Sequence, residues 1–304
     1  MRAPSGNGRV RRLILPALLI LIAGIAPAAD DSAATVASLE AAGGQFKKGK
    51  DGVLAEVFFK DASAINPDMW KQINTLTTLR KGTFYNKATL NDETLPLLKD
   101  LANLEEFAVD GAHLTDKGMQ AFAQWKNLKR MTFFHVFWGQ QNFNGTGLDV
   151  FAQLPKLEQF SMGGSTLTDA GLEALSKVTQ LKEIRIWHTG VTDAGTVHLK
   201  KLTNLKKLHL AGQFNTKLTD GLVAHVAAIP GLEKLTLGET RLSYDGGLKE
   251  LKTMTALKEL EFDKVDVSDA DVAKVKADLP NVTVKHTRPN EKEMENLERA
   301  FKKK

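Results

Sequence analysis

An α/β solenoid of about nine strand-and-helix units is the fold this 304-residue sequence predicts, and three observations predict it. A Leu-x-x-apolar-x-apolar segment starts at Leu54, Leu79, Leu104, Leu128, Leu157, Leu181, Leu205, Leu232 and Leu257, at steps of 24 to 29 residues, with a truncated echo at Val282. Within each unit the apolar period changes from two to three. A Thr-Asp-x-Gly pattern recurs where the period changes. Such self-similarity marks stacked units, because one short strand and one short helix cannot bury an apolar face alone.

Residues 1–28 read as a secretory signal peptide. Arg2, Arg9, Arg11 and Arg12 precede an apolar run over residues 13–25, and small residues follow, with cleavage placed after Ala28. The Arg11-Arg12 pair hints at a twin-arginine route. The apolar run is short for a bilayer and contains Pro16, so no stable membrane span is expected after cleavage. The leader holds four arginines and no acid, which leaves 37 basic against 36 acidic residues in the mature chain. A nearly neutral chain lacks the cationic stripe that nucleic acid or an anionic membrane requires, so no nucleic-acid partner is expected. There is no cysteine. That excludes thiol catalysis, disulfides and thiolate metal sites, and with the leader it points to a secreted or periplasmic protein of a bacterial envelope.

Residues 29–52 read as an N-terminal capping segment, in which Val36 and Leu39 lie on one helical face. In the repeats, Leu232-Glu-Lys-Leu235-Thr-Leu237 ends in alternation that puts Leu235 and Leu237 on one face of a short strand. Leu172, Leu175 and Val178 follow another strand at three-residue spacing and predict a short helix. Thr168 is placed as its N-cap, with Asp169 at the positive end of the helix dipole. Gly118, Gly171 and Gly195 each stand three residues after a threonine, where a missing side chain permits close approach of the next unit. In residues 287–304, Met294, Leu297 and Phe301 recur at helical spacing amid charges, which suits a docked capping helix or a charged tail.

From residue 43 to 286 the chain resembles the leucine-rich-repeat family, specifically the variety with Leu-Thr-Asp-x-Gly-Leu helix starts found in exported bacterial proteins and in F-box-type, ribonuclease-inhibitor-like repeats. Leu167-Thr168-Asp169-Ala170-Gly171-Leu172 carries the resemblance most fully. It implies a right-handed horseshoe or arc over residues 53–286, with parallel strands on the concave face and short helices on the convex face. The position that is often asparagine in the family is here Ser165, Thr189 or Thr240, so a hydroxyl row is expected in place of an asparagine ladder.

No chemistry-bearing motif is complete. Gly44-Gln-Phe-Lys-Lys-Gly49-Lys50 approaches a phosphate-binding loop but lacks the Ser/Thr that holds magnesium, and a glycine-lysine turn is the simpler reading. Asp263, Asp266, Asp269 and Asp271 lack the glycine and terminal glutamate of a calcium loop. No catalytic residue, metal or cofactor is predicted.

The inward sheet face is the stronger lead. The position after each strand's second core residue supplies Lys60, Tyr85, Asp110, Phe134, Gly163, Trp187, Ala211, Gly238 and Asp263. Phe134 and Trp187 flank Gly163, which predicts two rings about 10 Å apart at their backbones over an open glycine floor. Arg185 and His209 lie two residues earlier in their turns, His135 and His188 one residue later, and Arg130 beside them. Together they predict an aromatic and cationic patch. The longest insertion, residues 133–145, adds Trp138 and several phenylalanines, as a lid over the patch or as packing. The partner-binding set is Tyr85, Arg130, Phe134, His135, Trp138, Arg185, Trp187, His188 and His209. A protein or peptide is the expected ligand, with glycan as the alternative.

Overall fold

The structure, a computed structural model, describes Met1, residues 29–135 and residues 142–302. The predicted signal peptide and Trp138 lie outside the described residues.

Eleven strands form one sheet in strict chain order. They are β1 (Gly44–Lys48), β2 (Leu54–Phe59), β3 (Lys81–Phe84), β4 (Glu106–Asp110), β5 (Arg130–Phe134) and β6 (Gln159–Gly163), followed by β7 (Glu183–Trp187), β8 (Lys207–Ala211), β9 (Lys234–Gly238), β10 (Glu259–Asp263) and β11 (Thr283–Thr287). From β2 onward every pair is parallel and in register, so equivalent residues of successive repeats stand side by side. Only β1 departs. It runs antiparallel to β2, so the predicted glycine-lysine turn is a hairpin strand, and the turn itself falls between Gly49 and Val53.

Helical segments return the chain from each strand to the next. They are α1 (Ala29–Ala41) before the sheet, α2 (Pro67–Thr75), α3 (Asp169–Leu175), α4 (Asp193–Thr196), α5 (Gly221–Ala227), α6 (Asp269–Asp278) and the final α7 (Glu291–Phe301), with 3₁₀ segments in the remaining repeats. The tighter winding suits returns of only two or three turns. This is the leucine-rich-repeat α/β solenoid, with the sheet lining the concave side.

The core lies between sheet and helices. In β7, Ile184 and Ile186 are buried while Glu183, Arg185 and Trp187 face outward, and the same alternation holds along the sheet. Each buried leucine in such a stack contributes about 2–5 kcal/mol against alanine. The first half of the core is aromatic. Phe59 stacks on Phe84, Trp70 meets Phe84 edge-on at 4.9 Å, and Phe107 continues the row to Trp125 at 4.8 Å. Phe143, at the far side of the long insertion, is also buried.

The inter-repeat ladder is built from aspartates, not from the expected hydroxyls. Asp92 accepts from the backbone N–H and Oγ1 of Thr115, at 2.9 and 2.6 Å. Asp169 does the same for Thr192, Asp193 for Thr219 and Asp220 for Ser243. In these four pairs the aspartate of one repeat holds the Thr or Ser of the next, whereas Asp116 accepts from the backbone N–H groups of Asn144, Gly145 and Gly147 and does not reach Thr168. Accordingly Thr168 occupies the N-cap position of α3 without capping it, and its Oγ1 donates to the Asn144 carbonyl instead. Of the three expected hydroxyls only Thr240 reaches another turn, at the Leu218 carbonyl, while Ser165 and Thr189 accept from N–H groups two residues on.

At the C-terminal end, α7 opens with a complete capping box between Asn290 and Glu293. It docks on the strand-end loops: Leu297 is buried, Arg241 lies over the Phe301 ring at 5.0 Å, and Glu293 binds Lys264 at 2.8 Å.

Candidate binding groove on the sheet face

Because the parallel strands share one register, the outward residues form three columns running across the sheet. The middle column reads Phe58, Thr83, Ala108, Thr132, Ser161, Arg185, His209. Four small residues in sequence make a sunken floor, about 14 Å long at 4.8 Å per strand. Phe58 closes one end and Arg185 rises at the other.

One wall is aromatic. Phe58 meets Tyr85 edge-on at 5.9 Å, Tyr85 meets Phe134 at 6.0 Å, Phe134 meets Trp187 at 5.6 Å, and Trp187 lies tilted against His209 at 6.3 Å. The rings span seven strands, β2 to β8, because Asp110 and Gly163 leave the gaps they cross. The opposite wall is a charged row in which Lys81 and Arg130 both reach Glu106, at 3.2 and 3.5 Å, Arg130 also binds Gln159 at 2.6 Å, and Lys207 faces Glu183 at 3.7 Å. Two adjoining hollows of ≈ 530 and ≈ 490 Å³ occupy this groove, sharing Arg130, Thr132 and Phe134. A third, of ≈ 400 Å³, continues past Arg185 between His209, Lys234 and Glu261.

Phe134 and Trp187 share this face, but no space separates them. The indole lies over Gly163, where a Cβ would collide with it, so the expected open floor is filled by the Trp187 ring itself. The glycine is required so that the indole can reach Phe134 across one strand.

The histidines of the expected cationic set are engaged within the protein. His135 and His188 stand immediately after their strands with φ of 41° and 52°, part of a left-handed row that includes Asn86, Glu239 and Lys264. From there His135 Nδ1 meets Asp110 at 3.2 Å and His188 Nε2 meets Glu239 at 2.6 Å, so both imidazoles are engaged with carboxylates on the ridge. His209 is held neutral at pH 7: burial, then the nearby Arg185 guanidinium, lowers its pKa to about 4. Arg185 is exposed, its guanidinium 5.8 Å from the Trp187 ring centre, and among the described residues it forms no ion pair. A cation beside an indole face is favoured by the ring quadrupole.

Elsewhere the acidic C-terminal turn is dispersed. Asp266 binds Arg241 and Asp269 binds Arg288, each at 2.5 Å, and among the described residues no cluster is arranged to hold a metal ion. Residues 212–217 form a turn in which Gln213 and Phe214 are both left-handed.

No protein-family model matches the chain, and the search of curated proteins finds no relative. Solved structures do resemble it. Internalin C2 of Listeria monocytogenes is 20% identical, with 70% of this chain and 81% of that one covered and a TM-score of 0.50. TLR13, in its complex with ssRNA13, is 14% identical, with 78% of this chain and only 32% of that one covered and a TM-score of 0.53. At these identities the likeness establishes the fold. The protein is a leucine-rich-repeat solenoid whose open sheet face carries an aromatic-walled groove. The second comparison also means that the fold by itself does not exclude a nucleic-acid partner.

Proposed function

We propose that the protein is a non-catalytic recognition scaffold that takes an extended segment of another protein into the sheet-face groove. The observation that carries this reading is the floor of Thr83, Ala108, Thr132 and Ser161, a depression across four strands with rings on one side and charged side chains on the other. Hot spots of protein recognition combine partly buried aromatic anchors with a polar rim in this way. Export is part of the proposal, and the leader-like residues 1–28 support it. Among the described residues no helix is long and apolar enough to cross a membrane.

Two other ligand classes fit less well. A single-stranded nucleic acid would lay its phosphates along a wall of mixed sign, where Glu56, Glu106 and Glu183 stand among Lys47, Lys81, Arg130 and Lys207, and not along a continuous cationic stripe. A glycan needs a free-standing ring to stack on, and Trp187 is packed over Gly163 between Phe134 and His209.

Selection of a displayed random-peptide library on the immobilised chain tests the reading, with a Thr132→Trp variant that fills the floor as counter-target. Peptides enriched on the wild type and lost on the variant, at equal thermal midpoints, are the expected result. Enrichment that survives Thr132→Trp places the binding face elsewhere. Retention of the chain on insoluble cell-wall material, lost on Thr132→Trp, would favour glycan.

A further inference from the structure

Resting on that reading of the groove, we infer that its ligand is an acidic peptide segment: an Asp or Glu side chain pairs with Arg185, and an apolar side chain four residues away enters the hollow walled by Phe58, Tyr85 and Phe134. Three features of the face lead to this.

The first is charge. Along the groove's charged wall Lys81 and Arg130 are answered by Glu106 and Lys207 by Glu183, while Lys47, on β1 at the far end, has no ion pair among the described residues. Arg185 stands in the middle column, at the end of the floor, with its guanidinium exposed and no carboxylate of the described residues on it. A guanidinium presents a planar fork that matches one carboxylate. Beside it the Trp187 indole supplies an apolar flank that excludes water from one side of such a pair. One unanswered cation in the middle column suits one acidic side chain there and not a polyanion, for which Glu183 in the same strand is repulsive.

The second is spacing. Within the hollow walled by Phe58, Tyr85 and Phe134 the smallest middle-column residue, and so the deepest point of the floor, is Ala108 in β4, and Arg185 lies in β7, three strands away. Three strand intervals are about 14 Å, and an extended chain advances about 3.3 Å per residue. Four residues therefore separate the two contacts. Four is even, so in an extended chain both side chains point to the same side, toward the floor.

The third is continuity. The groove does not end at Arg185, since the hollow between His209, Lys234 and Glu261 lies beyond it. A chain can pass, so the carboxylate is assigned to a side chain within the segment and not to a free C-terminus.

The same display selection tests this with a second counter-target, Arg185→Glu. On the wild type, enriched peptides should carry Asp or Glu four positions from an aromatic or large aliphatic residue. On Arg185→Glu that position should turn to Lys or Arg. A resynthesised wild-type peptide, amidated at its C-terminus, should lose at least about tenfold in affinity on Arg185→Met, the scale of one charge-assisted bond. Arg185 is exposed, so the thermal midpoint of both variants should stay at the wild-type value. Enrichment that depends on the open floor but shows no acidic preference overturns the inference and leaves the groove standing. Enrichment indifferent to both Thr132→Trp and Arg185→Glu overturns the groove itself. Peptides that bind only with a free C-terminal acid, or a uridine oligonucleotide that displaces them, would also overturn it by naming another ligand.

Discussion

Replacing Asp92 by alanine removes two bonds at once, to the backbone N–H and to the hydroxyl of Thr115 in the next repeat, at 2.9 and 2.6 Å. Both are charge-assisted, yet the site is only partly buried, so the expected loss is about 2 kcal/mol. Gly118 faces the same carboxylate: the three nearest atoms to a Cβ built there all belong to it, and the closest overlap. Gly118→Ala should therefore cost about as much, by pushing Asp92 off Thr115. In the double variant the added methyl enters the space the carboxylate vacated, so stability should equal that of Asp92→Ala alone. The coupling is then about 2 kcal/mol, well above the few tenths expected of independent sites. Urea unfolding followed by tryptophan fluorescence is the assay, because Trp70 and Trp125 are fully buried in this end of the solenoid. Additive losses, with the double variant about 4 kcal/mol below wild type, would refute the inter-repeat role of the Thr-Asp-x-Gly pattern.

Two further outcomes follow from groups on the same ridge and face. His209 has a folded-state pKa lowered from 6.5 to about 4, so above pH 6.5 it is neutral whether the chain is folded or unfolded. As pH falls from 6.5 the unfolded chain takes up a proton that the folded chain refuses, and stability is lost down to about pH 4, by at most about 3 kcal/mol. The difference in urea midpoint between wild type and His209→Gln, followed from pH 7.5 to 4.5, should change by that loss, and parallel pH profiles would show that the imidazole titrates normally. At His135, exposed and left-handed at φ 41°, substitution by valine should cost about 1–2 kcal/mol and by glycine less than about 0.5. Equal losses from both would mean that the Asp110 contact, and not the backbone, sets that position.

The solenoid was legible because its cause is periodic. A leucine every 24 to 29 residues leaves the chain no other way to bury it than by stacking, and the parallel register follows from the stacking. The face of Tyr85, Phe134, Arg185 and Trp187 was legible for the same reason, since alternation in a strand assigns side chains to faces. What escaped was whatever depends on how far a side chain reaches. Gly163 and Trp187 give one pattern for an open floor and for a ring laid across it, and only the indole's length decides between them. The groove floor left a signal one column earlier, in the run Thr83, Ala108, Thr132, Ser161, which the aromatic column overshadows. His209 escaped for a different reason: its charge depends on burial and on the Arg185 guanidinium of the adjacent strand, neither of which the sequence pattern displays.

These differences divide the molecule by function as well as by legibility. On the helix side, residues that hold the repeats together must bond in fixed geometry, so Thr, Asp and Gly recur there in a pattern that one repeat imposes on the next. On the sheet face no such transfer operates. The parallel ladder is satisfied by backbone alone, and a side chain pointing outward is constrained only by its two neighbours in the column. That freedom is why Gly163 and Trp187 can be exchanged partners in one column while Asp110 interrupts the same column two strands earlier. It also makes Arg185 informative. Along an outward-facing row where lysines and arginines stand opposite glutamates, nothing in the packing of the solenoid requires a cation without a partner in the middle column. Apart from its contact with the Trp187 ring, an arginine there has no partner among the described residues, which is why its charge is assigned to the proposed ligand.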